Sequence, residues 1–219
     1  MSKPSRPLAV LFDAEGVIVH PDPAALDRGY GSIWPGLTLE AVEAARDRAD
    51  LYALWERYSV GALDRAAYWT AVITALGLPA DAERIAALAD VLADAWWATV
   101  DPDVIALIHA LRDGRPPVRI GILSNSCADQ DRAAGAFAPL FDVECFSHRV
   151  GRRKPSAEAF VGAADALGVP LDAILFIDDM ERNTRAAERA GMTAIRFTDA
   201  AALREALTAR GLLEPARVA

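Results

Sequence analysis

Cysteine is scarce in this chain: Cys127 and Cys145 are the only two among 219 residues. They share no metal-ligand spacing and cannot build a disulfide framework, so a reducing, cytoplasmic setting is expected. Positive charge is also short, with 23 Lys and Arg against 31 Asp and Glu and a net charge of −8 at pH 7. That balance argues against nucleic acid as the main partner, because phosphate backbones are held by clustered Lys and Arg. An anionic ligand would need local compensation, from a metal ion or a few placed cations. Apolar runs long enough to cross a bilayer are missing, and the stretch behind Met1 to Pro7 is too short and is interrupted by Asp13, so neither a membrane span nor a signal peptide is expected. Internal repeats and low-complexity segments are absent too.

What is present is an apolar, core-forming composition, 53% hydrophobic. The stretch Leu8-Ala9-Val10-Leu11-Phe12 reads as a strand buried on both faces, and it ends on Asp13-Ala14-Glu15-Gly16. Residues 23–97 show helical periodicity and no strand. Helical periodicity runs from Leu39 and Val42 on through Leu51, Leu54, Trp55 and Tyr58, another helix spans 63–76, and a third 82–97. Strand–helix alternation resumes after Asp101-Pro102. Strands are expected at 118–123, 143–146, 173–177 and 193–197, with helices at 104–111, 129–137, 156–167, 182–190 and 200–209. Repeated β–α units imply an α/β fold with a Rossmann-like parallel sheet covered by helices on both faces. The expected division is a core of residues 1–20 and 98–219 with a helical unit of residues 21–97 inserted after the first strand.

Four polar groups fall at or just after strand ends: Asp13 with Glu15, Ser124 with Asn125, Lys154, and Asp178 with Asp179. Each has a plain structural explanation. Ser124-Asn125-Ser126 could cap a helix, Lys154-Pro155 could be a solvated loop, and Asp178-Asp179 could be acids favoured by a helix dipole. In a parallel sheet, however, strand ends of one sense share one edge, where ligands bind. Four such groups in this order point to a convergent site.

In this order the motifs resemble those of the haloacid dehalogenase (HAD) superfamily, and the resemblance runs over nearly the whole chain. The four motifs are Phe12-Asp13-Ala14-Glu15-Gly16-Val17, Ile122-Leu123-Ser124-Asn125, Arg153-Lys154-Pro155 and Phe176-Ile177-Asp178-Asp179 through Asn183. The resemblance implies that residues 21–97 form the family's helical type-one cap. The phrase from Gly61 to Trp69 is similar to the subgroup containing the amino-terminal phosphatase domain of soluble epoxide hydrolases. It further implies a Mg²⁺-dependent phosphohydrolase acting on a small phosphorylated metabolite, with Asp13 as nucleophile and Glu15 as general acid and base. Mg²⁺ would be held by Asp13, the backbone carbonyl of Glu15 and Asp179, with Asp178 and Asn183 orienting them. Ser124 and Asn125 would hold phosphoryl oxygens, and Lys154 would neutralise the transferring group and keep Asp13 ionised.

One position departs from the family, whose phosphatases usually carry Asp two residues after the nucleophile. Glu15 shifts the carboxylate tip by ~1.5 Å, and a misplacement of ~1 Å can cost on the order of a hundredfold in rate. Two rivals follow: a metal-free haloacid dehalogenase using Asp13 on carbon, and a HAD-like binding protein with impaired catalysis. Cys127 lies near the site but has no placed His partner. His109 reads as structural on an apolar helix face, and the aromatics Trp55, Tyr58, Tyr68, Trp69, Trp96 and Trp97 read as the interior of the helical unit. Arg152 and Arg153 are divided between solvent and phosphate. The oligomeric state is left open, with a homodimer considered.

Overall fold

The computed structural model describes residues 6–96, 99–130 and 138–215. Strand β1, Ala9–Phe12, has every side chain buried and sits at the middle of a five-stranded sheet. Its neighbours are β4, Arg119–Ser124, on one side and β6, Ile174–Asp178, on the other. Outside these lie β5, Val143–Phe146, and β7, Thr193–Arg196, and all four pairings are parallel. Alternate residues of the same strands feed two different cores, as the two-residue period of a strand requires. Val10, Phe12, Ile120, Ile122, Leu175 and Ile177 face helices α6, Pro102–Asp113, and α10, Ala200–Ala209. Ala9, Leu11, Leu123, Ile174 and Phe176 face α8, Ala157–Leu167, and α9, Glu181–Ala190. Burial on both faces explains why these strands are continuous apolar runs rather than alternating ones.

Between β1 and β4 the chain leaves the sheet. Two-residue strands β2, Val19–His20, and β3, Thr99–Val100, pair antiparallel and form the outgoing and returning crossings. Beyond them stand α1, Pro23–Ile33; α2, Leu39–Arg46; α3, Ala49–Tyr58; α4, Arg65–Ala75; and α5, Ala82–Trp96. These five helices share an apolar cluster of their own, built on Tyr30, Trp34, Leu51, Tyr58, Tyr68, Trp69 and Leu88. Each such buried side chain stabilises by roughly 1.5–3 kcal/mol.

Helix α1 is not among the helices expected from the sequence. Its start signal was there, with Asp22 accepting from the Ala24 N–H and Pro23 in the first turn. Gly29 and Gly31 inside the helix hid it. Gly29 is needed because a Cβ there would stand 2.1 Å from Val91 Cγ1, so only glycine lets α1 and α5 approach this closely. Most of the helix expected over 129–137, like Trp97, lies outside the described residues, and the chain up to it makes a 3₁₀ turn at Ala128–Gln130. His109 is exposed on α6 rather than structural. A further single turn of helix, α7, Ser147–Val150, follows β5 directly.

Candidate active site

The carboxyl ends of β1, β4 and β6 meet on one edge because their registers align. Phe12 is opposite both Ile122 and Ile177, so Asp13, Ser124 and Asp178 follow at nearly the same height. The Asp13 N–H donates to the Ile177 carbonyl at 2.8 Å, fixing where the strand ends. The chain then turns back at once, with Gly16 N–H donating to the Val19 carbonyl and a φ of +80° at Gly16. A Cβ at Gly16 would lie 2.7 Å from the Asp179 carboxyl, so glycine is what allows Asp179 to come up beside the first motif.

Lys154 is 1% exposed and reaches in from the loop before α8. Its Nζ donates to Asp178 Oδ2 at 2.7 Å and lies 2.7 Å from Asp13 Oδ1. Asp13 Oδ1 also accepts the Ala14 N–H at 2.7 Å. Asn125 holds the lysine from behind. Its Oδ1 accepts the Lys154 N–H and its Nδ2 donates to the Lys154 carbonyl, both at 2.8 Å. The Asn125 side chain is therefore committed to positioning Lys154, which leaves its backbone N–H as the group that could meet a phosphoryl oxygen.

Asp178 is fully buried and both its oxygens are occupied. They accept from Lys154, from Asn183 Nδ2 at 3.0 Å each, and from the Met180 N–H at 2.8 Å. Carboxylate oxygens of Asp13, Asp178 and Asp179 lie within 4.8 Å of one another. With Asp178 already saturated, Asp13 and Asp179 are the two free to take a cation, and an all-oxygen donor set suits a hard divalent ion. Asn183 Oδ1 adds a second sign. It is a buried acceptor with no partner among the described residues, on a side chain that lines the same cavity as Asp13 and Asp179. The residues fit the group.

Burial raises the Asp13 carboxyl well above the ordinary range; Lys154 pulls it down and Asp178 pushes it further up. Burial opposes the charged Lys154 ammonium, but Asp13 and Asp178 together overcome this and raise it. Burial and then Asp178 raise Asp179. Cys127 is no rival nucleophile, since burial pushes its thiol up to about 12.

Asp13, Glu15, Ser124, Asn125, Lys154, Asp179 and Asn183 line one cavity of about 330 Å³. Asp178 stands behind its wall. Trp55, Arg153, Met180 and Arg182 complete the lining, so Trp55, expected inside the helical unit, in part faces the cavity. Asp129, which the sequence does not mark out, has a side chain 1% exposed. Asp129 accepts from Tyr58 Oη at 2.6 Å, from Trp69 Nε1 at 3.0 Å and from Arg65 Nε, so it ties the loop after Ser124 to α3 and α4.

A sequence profile described as haloacid dehalogenase-like hydrolase matches residues 7–191. The chain belongs to that family. This HAD-like hydrolase is 31% identical over 104 residues to Phosphatase MT3486 of Mycobacterium tuberculosis, a match covering 42% of this chain and 48% of that protein. The chain thus aligns with about half the length of that relative. Its fold matches a HAD family enzyme of Bacteroides thetaiotaomicron, crystallised with magnesium and inorganic phosphate, at a TM-score of 0.67, with 17% identity over 87% of this chain and 93% of that one. It also matches L-2-haloacid dehalogenase of Xanthobacter autotrophicus with chloropropionic acid covalently bound, at a TM-score of 0.65, with 23% identity over 95% of this chain and 84% of that one. Among the described residues no helix is long and apolar enough to cross a membrane.

Proposed function

We propose that this HAD-like hydrolase is a Mg²⁺-dependent phosphohydrolase acting on a small phosphomonoester. The single observation that carries the reading is the cluster of Asp13, Asp179 and the orphaned Asn183 Oδ1 around one cavity, with Lys154 beside Asp13. The magnesium and phosphate bound to the Bacteroides neighbour, and the phosphatase among its relatives, support it. Asp13, Asp179 and the Glu15 carbonyl would hold Mg²⁺, which when bound offsets the negative charge of nucleophile and phosphoryl group. The helical residues 21–97 would act as the cap that closes the cavity.

The chain's own residues then divide the work. An Asp13 oxygen attacks phosphorus, forming an O–P bond as the bond to the leaving alcohol breaks, and leaves an aspartyl-phosphate. Glu15, exposed at the cavity, supplies the proton the leaving oxygen needs and afterwards takes one from the water that hydrolyses the intermediate. Ser124, at the end of β4, offers its hydroxyl to a phosphoryl oxygen. Lys154 places its charge beside the attacked group, and Asp178 and Asn125 keep it there.

Attack of Asp13 on carbon would instead give haloacid hydrolysis. An acid at residue 15 and a cation-ready Asp179 favour the phosphoryl reaction. The deciding measurement is phosphate release from an aryl phosphate with and without Mg²⁺, run beside chloride release from a 2-haloacid. Mg²⁺-dependent phosphate release and no chloride is the expected outcome. Asp13→Asn drops it to background, and Glu15→Gln lowers kcat roughly 10²- to 10⁴-fold. Chloride release without metal would overturn the reading.

A further inference from the structure

Two guanidinium groups at the cavity are left without a full set of partners. Arg153 precedes the buried lysine, and its side chain is 14% exposed. Its Nη1 pairs with Glu56 on α3 at 3.0 Å, while its Nε is buried with no acceptor among the described residues. Arg182, on α9, lines the same cavity and makes no hydrogen bond or ion pair among the described residues. A chain with a net charge of −8 has nevertheless set two underused cations beside its carboxylates.

Positive charge of this kind is complementary to an anion, and the guanidinium fork matches the two oxygens of a carboxylate or a phosphate. The scissile phosphoryl group is already served by Ser124, Lys154 and a cation at Asp13 and Asp179. Trp55 and Met180 form the remaining wall, and the Trp55 ring is fixed in place. It is held by Tyr58 and Tyr68 at ring separations of 6.0 and 5.8 Å, with the Arg46 guanidinium 4.7 Å from its ring. A fixed indole beside a cavity of about 330 Å³ suits a short carbon skeleton, at the small end of ligand pockets.

We infer that the substrate is a short phosphomonoester carrying a second anionic group, read by Arg153 and Arg182. This deepens the phosphatase reading and rests on it. Titration calorimetry of the full chain with Mg²⁺ compares methylphosphonate, phosphonoacetate and methylenediphosphonate, stable mimics that differ in the second group. Either doubly anionic mimic binds roughly tenfold to a hundredfold more tightly than methylphosphonate, the effect of one added charged hydrogen bond. A gain with phosphonoacetate alone identifies a carboxylate, and a gain with methylenediphosphonate alone a second phosphate. Arg153→Ala and Arg182→Ala each reduce the gain, and Arg153→Lys recovers part of it. Arg152→Ala leaves it unchanged, since the Arg152 guanidinium packs toward Gly162 on α8. Arg182 is exposed, so its variant keeps the test decisive if Arg153→Ala fails to fold. Equal affinity for the three mimics, or a gain that survives loss of either arginine, overturns the inference. Failure of aryl phosphate turnover would overturn the phosphatase reading by a separate assay, and the phosphonate ratio would still judge the second-anion site.

Discussion

Lys154 lies 2.7 Å from two carboxylates and depends on a residue 29 positions earlier for its place, because Asn125 binds both its N–H and its carbonyl. Asn125→Ala removes that clasp without touching a charge. A shift of ~1 Å in a catalytic group can cost on the order of a hundredfold. We expect Asn125→Ala to lower kcat roughly tenfold to a hundredfold with a smaller change in KM, measured by steady-state phosphate release. A parallel fall in affinity for inorganic phosphate alone would return Asn125 to direct phosphate contact. Asp13, Glu15, Ser124 and Asp179 stood out in the sequence because they lie at the ends of apolar runs, and Lys154 through the order of the motifs. Asn125's task was not, because its partner is distant in the chain and hydrogen-bond geometry leaves no periodic trace. Arg153 and Arg182 were equally obscure, since a charged residue at a cavity looks like any solvated one until the wall opposite it is known.

At the scale of elements, the buried strands and the amphipathic helices announced themselves through their periods. Where the period was broken, the element was lost, as in α1 with its two interior glycines, or was too short to show one, as in β2 and β3. Helix ends carry a testable electrostatic signature. The Asp199 side chain accepts the Ala202 N–H at 2.8 Å at the start of α10, and that hydrogen bond holds its carboxyl below the usual range. The folded carboxyl therefore titrates below the unfolded one. Its contribution is whole above about pH 4 and is lost as the pH falls through the lower, folded value. Thermal melts should show stability declining over that acidic window, with the decline shallower in Asp199→Asn. An unchanged slope in the variant would show that other carboxylates carry the acid sensitivity.

Across the whole molecule, the helical unit and the sheet keep separate apolar clusters, with Cys127 joining the helical one, and polar contacts also tie them together. One is Asp129, with Tyr58, Trp69 and Arg65 donating to a carboxylate that is almost wholly buried. Removing one side of a buried charged cluster strands the other, at a cost of about 3–5 kcal/mol. Asp129→Ala should lower the free energy of urea unfolding by that order, and Asp129→Asn by less because it still accepts hydrogen bonds. Hydrogen exchange in Asp129→Ala should quicken in α3 and α4 before it does in β1. Uniform acceleration would mean the two halves unfold as one.

The order of strands and helices, the apolar faces and the acids at the strand ends were determined by the sequence, because period and strand termination are local properties of a chain. The tertiary structure alone decided which charge meets which. It saturated Asp178, raised Asp13 against its lysine, and left Asn183, Arg153 and Arg182 with unused hydrogen-bonding capacity at the site. Desolvation and pairing depend on what packs from elsewhere, and no spacing along the chain encodes that.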